Sequence, residues 1–176
     1  PAHRQAAFTF AEMIPHYNFH FSSVVVRHDA VNLPPWVSEH YCIDRPLYLL
    51  ATQHGDAGSI DEVTSAYRQH DGGVWSGRGL LYKAASSRAL FLAFQNYFPA
   101  RFRPAFRRAL AGILWYYLSL ARAGEDRRTA LKLLGLAVAA APVHVLAGSG
   151  RGVLSHLVWL LSPRLHRAVR ATGVGA

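Results

Sequence analysis

The sequence predicts an α/β first part, residues 1–85, followed by an all-α extension, residues 86–176. Three observations carry the prediction. In the first part, short runs with a period of two accompany a single strong helical pattern, the mix expected of strands and helices together. In the second part Ala, Leu and Arg dominate, and Pro99, Pro104, Gly124, Pro142 and Pro163 divide the chain at helix-length intervals. Charge changes at the same place: residues 1–85 hold six Lys/Arg against eight Asp/Glu, a net −2, whereas residues 86–176 hold thirteen against two, a net +11.

A chain of 176 residues with 51% hydrophobic and 16% charged residues has the composition of a folded protein, not a disordered one. Its single cysteine, Cys42, excludes an internal disulfide framework and fits a reducing, cytoplasmic compartment. No apolar run approaches the roughly 18 residues that span a bilayer. The longest, Leu133 to Val143, is interrupted by Pro142 and reads as a buried helix. The start lacks the pattern of a secretory leader. It opens on Pro1 with no initiator Met and is read as a piece of a longer protein.

Taken in order, Phe8–Pro15 reads as a short helical or turn segment. Residues 20–27 read as a buried strand, because Phe19, Phe21 and Ser23 alternate with His20 and Ser22 before the β-branched run Val24-Val25-Val26. The prolines of Asn32-Leu33-Pro34-Pro35-Trp36 mark a loop. Asp44-Arg45-Pro46 opens a helix, with Asp44 at or near the N-cap and Pro46 in the first turn; Leu47, Leu50 and Ala51 form its apolar face and Gly55 ends it. From Ile60 to Gly77 the chain runs IDEVTSAYRQHDGGVWSG. Val63, Ser65 and Tyr67 put a strand face there by period two, and Gly72, Gly73 and Gly77 then favour backbone conformations that other residues avoid. In the second part Ser86 or Ser87 caps a helix that Pro99 stops. Pro104 begins another that closes at Gly124, and Glu125 and Asp126 open a third that ends at Pro142. Residues 151–161 form a fourth, and Pro163 begins a short basic last one. Leu114, Trp115, Tyr117, Ala121, Gly124, Ala130, Leu134, Ala137 and Pro142 have the spacing of one tetratricopeptide-like hairpin, which by itself is packing and not a peptide-binding array.

The run from Asn18 to Gly77 resembles the C-terminal half of the catalytic domain of family 2 glycosyltransferases. The resemblance rests on Asn18, Ser22-Ser23, Arg27, Pro35-Trp36, Asp44-Arg45-Pro46-Leu47, Gly55, Ile60-Asp61-Glu62, Tyr67-Arg68-Gln69-His70 and Gly72-Gly73-Val74-Trp75-Ser76, in that order and spacing, over about a third of the chain. It implies a partial GT-A fold for residues 1–85 and a transfer of sugar from a nucleotide-sugar donor to a hydroxyl acceptor on a glycan or a lipid-linked molecule of the cell envelope. The transfer would be inverting and assisted by a divalent metal, Mg or Mn. The helical tail is similar in character to the C-terminal extensions of such enzymes. The family's nucleotide-binding half, with its Asp-x-Asp metal motif, has no counterpart here, since no Asp-x-Asp occurs in the sequence. The chain is therefore expected to be an acceptor-side part that does not turn over alone, with the metal held mostly by a motif it lacks.

The resemblance gives each residue a role beside a plainer alternative. Asp44 stands where the family's base lies, and a base there would take the acceptor's proton as its oxygen attacks the sugar; otherwise Asp44 is a helix N-cap. Arg68 and His70 would share one strand face and meet the leaving diphosphate, with His70 also a candidate metal ligand; otherwise both sit at a solvated strand end. Trp75 would stack on a sugar or base, and Ser76 with the glycine backbone would meet phosphate; otherwise Trp75 plugs the core. Asn18 and Ser22-Ser23 lie on the acceptor side or make ordinary strand-end hydrogen bonds. Asp61 and Glu62 are adjacent, point oppositely on a strand, and cannot pair as acid and base. The His residues show no zinc-site spacing. The basic tail suits an anionic membrane surface, placing the protein peripherally on the inner face of the membrane; otherwise its arginines line plain solvated helix faces. Nucleic acid fits the charge, but no recognition motif supports it. The competing class is a non-enzymatic helical interaction module whose basic surface meets an acidic partner or membrane.

Overall fold

The computed structural model describes residues 7–15, 20–66, 68, 70, 72–73, 75–124, 126–140, 159–160 and 162. These comprise β1 (Ala7–Phe8), α1 (Phe10–Met13), α2 (Asp44–Ala51), β2 (Ala57–Gly58), α3 (Leu80–Tyr97), α4 (Arg103–Ala123) and α5 (Arg127–Ala140), with short 3₁₀ turns at Phe21–Ser23, His28–Ala30, Pro35–Glu39 and Ala100–Phe102. Two compact units result: residues 1–78 with 89–109, and residues 79–88 with 110–176. The composition break at 85 and 86 falls within α3.

The expected α/β, GT-A-like first part is overturned. The described chain is mostly helical, and its only sheet among the described residues is the antiparallel pair β1–β2, in register Ala7 with Gly58 and Phe8 with Ala57. The two expected strands fail for one reason. A strand needs a neighbour to take its backbone groups and a surface to cover its apolar face. Val25 is 98% exposed, Ile60 75% and Val63 92%. Residues 20–30 instead close local turns, with the Ser23 N–H on the His20 carbonyl at 2.9 Å and the Ala30 N–H on the Arg27 carbonyl at 3.0 Å.

The unit formed by residues 1–78 and 89–109 is built on aromatic packing. Phe91, Phe94, Phe98 and Phe106 are buried. Phe94 lies 5.5 Å from Phe106, and Phe98 lies 5.6 Å from Phe106. Phe10 closes the cluster at 5.0 Å from Phe98 and 4.6 Å from Phe102. A capping box fixes α1: Glu12 accepts from the Thr9 N–H at 2.9 Å, and the Thr9 hydroxyl takes the Glu12 N–H at 3.4 Å. α1 packs on α2, whose Pro46, Tyr48, Leu49 and Leu50 are buried. Trp36 covers Phe94 and Tyr97 at 5.9 and 5.4 Å. Buried Gln95 is satisfied on both sides, accepting from Arg103 Nε at its carbonyl and from Arg107 Nε at Oε1, and donating to the Phe91 carbonyl.

The other unit contains the expected hairpin. Leu114, Tyr117, Ala121, Ala130, Leu134 and Ala137 are all buried. α4 ends at Gly124, whose N–H reaches the Leu120 carbonyl at 3.0 Å, and Asp126 caps α5 by accepting the Thr129 N–H at 3.0 Å. Hydrogen bonding from the Thr129 side chain, and then from its N–H, holds the Asp126 carboxyl below its ordinary value. Trp159 is buried against Arg122 and Arg127, and Arg127 donates to its carbonyl at 3.1 Å. Pro99 stops α3 as expected, but α3 begins at Leu80, so Ser86 and Ser87 lie inside it. Its first turn closes at Gly79, whose carbonyl takes the Lys83 N–H at 3.1 Å. Asn18, Tyr67, Glu125, Pro142, most of the expected fourth helix and the basic last helix lie outside the described residues.

Candidate functional site

The site is built around the start of α2. Asp44 is the first residue of the helix and Ile43 is its N-cap, which offers no side-chain acceptor. The Asp44 carboxylate is half-buried, and its Oδ1 accepts from the Cys42 thiol and from the Arg45 N–H at 3.1 Å. Arg45 turns its guanidinium elsewhere. Its Nη2 donates to the Ile14 carbonyl at 2.8 Å, and its charge sits 4.7 Å from the centre of the Phe91 ring. Burial pushes the Asp44 carboxyl up from its ordinary value, more than the neighbouring N–H groups and Arg45 pull it down. It raises the Cys42 thiol in the same way. Tyr48, one turn along α2, is pushed up to about 12 by burial and then by the charges of Asp44 and Cys42. Three titratable groups thus share one low-dielectric corner.

An aromatic stack brings the glycine-rich turn to this corner. Trp75 stacks on Tyr41, centroids 5.5 Å apart and planes 23° from parallel. Tyr41 immediately precedes Cys42, so the stack joins the turn to the chain that leads into α2. The turn closes on the His70 carbonyl, which accepts from the Gly73 N–H at 3.1 Å and the Ser76 hydroxyl at 2.9 Å. Gly73 is required for space. A Cβ there would overlap Ser76 Oγ and come within 3.2 Å of the His70 carbonyl oxygen, while neither Gly72 nor Gly73 adopts a left-handed backbone. The expectation of special glycine conformations at 72 and 73 therefore gives way to close approach.

Arg68 and His70 are both exposed, on irregular backbone instead of a strand face, and no hydrogen bond or ion pair joins either to Asp44. Trp75 is half-buried against Tyr41, and the Ser76 hydroxyl serves the turn. Ser22 donates to Ser65 at 3.2 Å, tying the segment after His20 to the stretch leading into the turn. Among the described residues no three His, Cys, Asp or Glu side chains gather where they could hold a metal ion. Sequence reading missed Tyr41, Cys42 and Tyr48. A cysteine two residues before an aspartate at a helix start was the available signal for Cys42; nothing local announces Tyr41 as the partner of Trp75.

No protein-family model, curated protein or solved structure matches the chain. Its reading therefore stands on the residues themselves.

Proposed function

We propose that the chain is the acceptor-side part of a glycosyltransferase that moves a sugar from a nucleotide-sugar donor to a hydroxyl acceptor of the cell envelope. The observation that carries this reading is the Asp44 corner: a half-buried carboxylate with a raised proton affinity, two donors on Oδ1, and an aromatic stack beside it. A general base works best when its proton affinity lies near the working pH, and burial moves Asp44 that way. In the reaction Oδ2 takes the proton of the acceptor hydroxyl. The acceptor oxygen forms its bond to the anomeric carbon from the face opposite the leaving group. The bond from that carbon to the diphosphate oxygen breaks, and the nucleoside diphosphate leaves with the electron pair, inverting the carbon. Arg68 and His70 are the cationic and donor groups assigned to the diphosphate, Trp75 stacks on the ligand, and Ser76 acts by holding the turn.

Among the described residues no helix is long and apolar enough to cross a membrane. The working location is the cytoplasmic face of an anionic membrane. Tyr116 and Leu120 on α4, and Leu131 and Val138 on α5, are exposed apolar residues on helices whose charged side chains are all basic. The test of function is nucleoside diphosphate release dependent on acceptor. The full-length parent should show it and the 176-residue chain alone should not. Sugar transfer by the isolated chain, or none by the parent with any nucleotide-sugar, would overturn the proposal. The competing helical interaction module predicts tight vesicle or protein binding with no transfer by the parent.

A further inference from the structure

Cys42 is the nucleophilic group the proposed chemistry leaves unused, and its surroundings give it a different task. Its thiol is half-buried and donates to Oδ1 of Asp44. Arg45 acts on Asp44 through its N–H and through its charge, while its guanidinium donates to the Ile14 carbonyl and lies over the Phe91 ring. Tyr48 is the remaining titratable group on α2 that feels both Cys42 and Asp44. With Cys42 and the Arg45 N–H both on Oδ1, the carboxylate is fixed in rotation and presents Oδ2.

We propose that Cys42 is a positioning residue: its thiol pins the Asp44 carboxylate through Oδ1 and so selects Oδ2 as the oxygen that accepts the proton. The proposal rests on the base role given to Asp44 above. It has a thermodynamic signature that packing alone lacks. A donor on a carboxylate stabilises the charged form, so removing it raises the proton affinity of Asp44. A hydrogen bond to a charged group counts for about one to two pH units, and a weak thiol donor at a half-buried site for about half of that. The relation is reciprocal. Ionising Cys42 places two anions in contact, so Asp44→Asn lowers the thiol's proton affinity.

The experiment follows the Asp44 carboxyl by carbon-detected NMR titration in the 176-residue chain, as wild type, Cys42→Ala and Cys42→Ser. Cys42→Ala should raise the midpoint by roughly 0.5–1 pH unit, and Cys42→Ser, which keeps a donor, should leave it near wild type. The rate of thiol alkylation by iodoacetamide against pH, with and without Asp44→Asn, reads the same coupling from the other side. Equal Asp44 midpoints in all three proteins would overturn the proposal. In the full-length parent, Cys42→Ala should lower kcat, leave the acceptor KM unchanged and move the acid limb of the pH–rate profile by the same interval, with Cys42→Ser restoring both. A lower kcat with an unmoved limb would assign Cys42 to packing and overturn the proposal. Undiminished transfer by Asp44→Asn would remove the base itself, a failure that is distinct because the midpoint shift would persist without a catalytic consequence.

Discussion

Removing the Tyr41 ring should loosen the glycine-rich turn. Tyr41 and Trp75 are near-parallel at 5.5 Å, an offset stack. Such pairs contribute about 0.5–1.5 kcal/mol beyond area burial, and because Tyr41 is 40% exposed the lower part of that range, roughly 0.5–1 kcal/mol, applies. At about 1.4 kcal/mol per tenfold, the turn's opening equilibrium should increase roughly two- to five-fold. The reporters are the amides that close the turn: Gly73 on the His70 carbonyl at 3.1 Å, Gly77 on the Gly73 carbonyl at 2.9 Å and Arg78 on the Trp75 carbonyl at 3.1 Å. Their hydrogen exchange, measured by NMR under conditions where closing outpaces exchange, should quicken by that factor in Tyr41→Ala and stay unchanged in Tyr41→Phe. Amides of α4 and α5 should not respond. Unchanged turn amides, or an equal acceleration throughout α3 to α5, would refute the view that this stack docks the turn.

Three further outcomes follow from the packing and the charges. Phe106→Ala empties the centre of the aromatic cluster, where Phe106 is fully buried, and should cost about 3–5 kcal/mol, lowering Tm by roughly 6–20 °C in thermal unfolding. Gly73→Ala forces Ser76 Oγ off the His70 carbonyl, so the Gly73 and Gly77 amides should lose protection while the far-ultraviolet circular dichroism of the helices stays unchanged. Burial raises the Asp44 carboxyl, so the native state binds that proton more tightly than the unfolded chain, and stability falls as pH rises through the interval between the two proton affinities. Asp44→Asn should therefore raise Tm at pH 7, with the gain vanishing below the ordinary carboxylate range; a variant less stable than wild type at pH 7 would contradict the assigned burial.

The helices were legible because their signals are local. Pro99 follows the end of α3, Pro104 lies in the first turn of α4 and Gly124 follows its end, and Asp126 accepts the N–H that α5 leaves open. The start of α3 was not, since Leu80 to Lys83 include no Ser, Thr, Asp or Asn and the serines at 86 and 87 offered a more familiar cap. The strands were misread because period two reports a face and not its partner. Val25, Ile60 and Val63 have the right residue types but no surface that covers them. In the site, Asp44 and Trp75 were recognisable by type and place. Their neighbours were not: Tyr41 meets Trp75 only through tertiary folding, and the Cys42 contact depends on the side-chain rotation that brings its thiol to Oδ1.

The central claim is that Asp44 takes the proton of an acceptor hydroxyl. The most direct measurement is transfer by the full-length parent carrying Asp44→Asn, at saturating donor, together with donor binding by calorimetry. The amide keeps the shape and can still accept from Cys42 and the Arg45 N–H, but it cannot take a proton at neutral pH. The account predicts a fall in kcat of about 10²–10⁴-fold with donor affinity unchanged. Transfer at the wild-type rate, with donor binding intact, would contradict it.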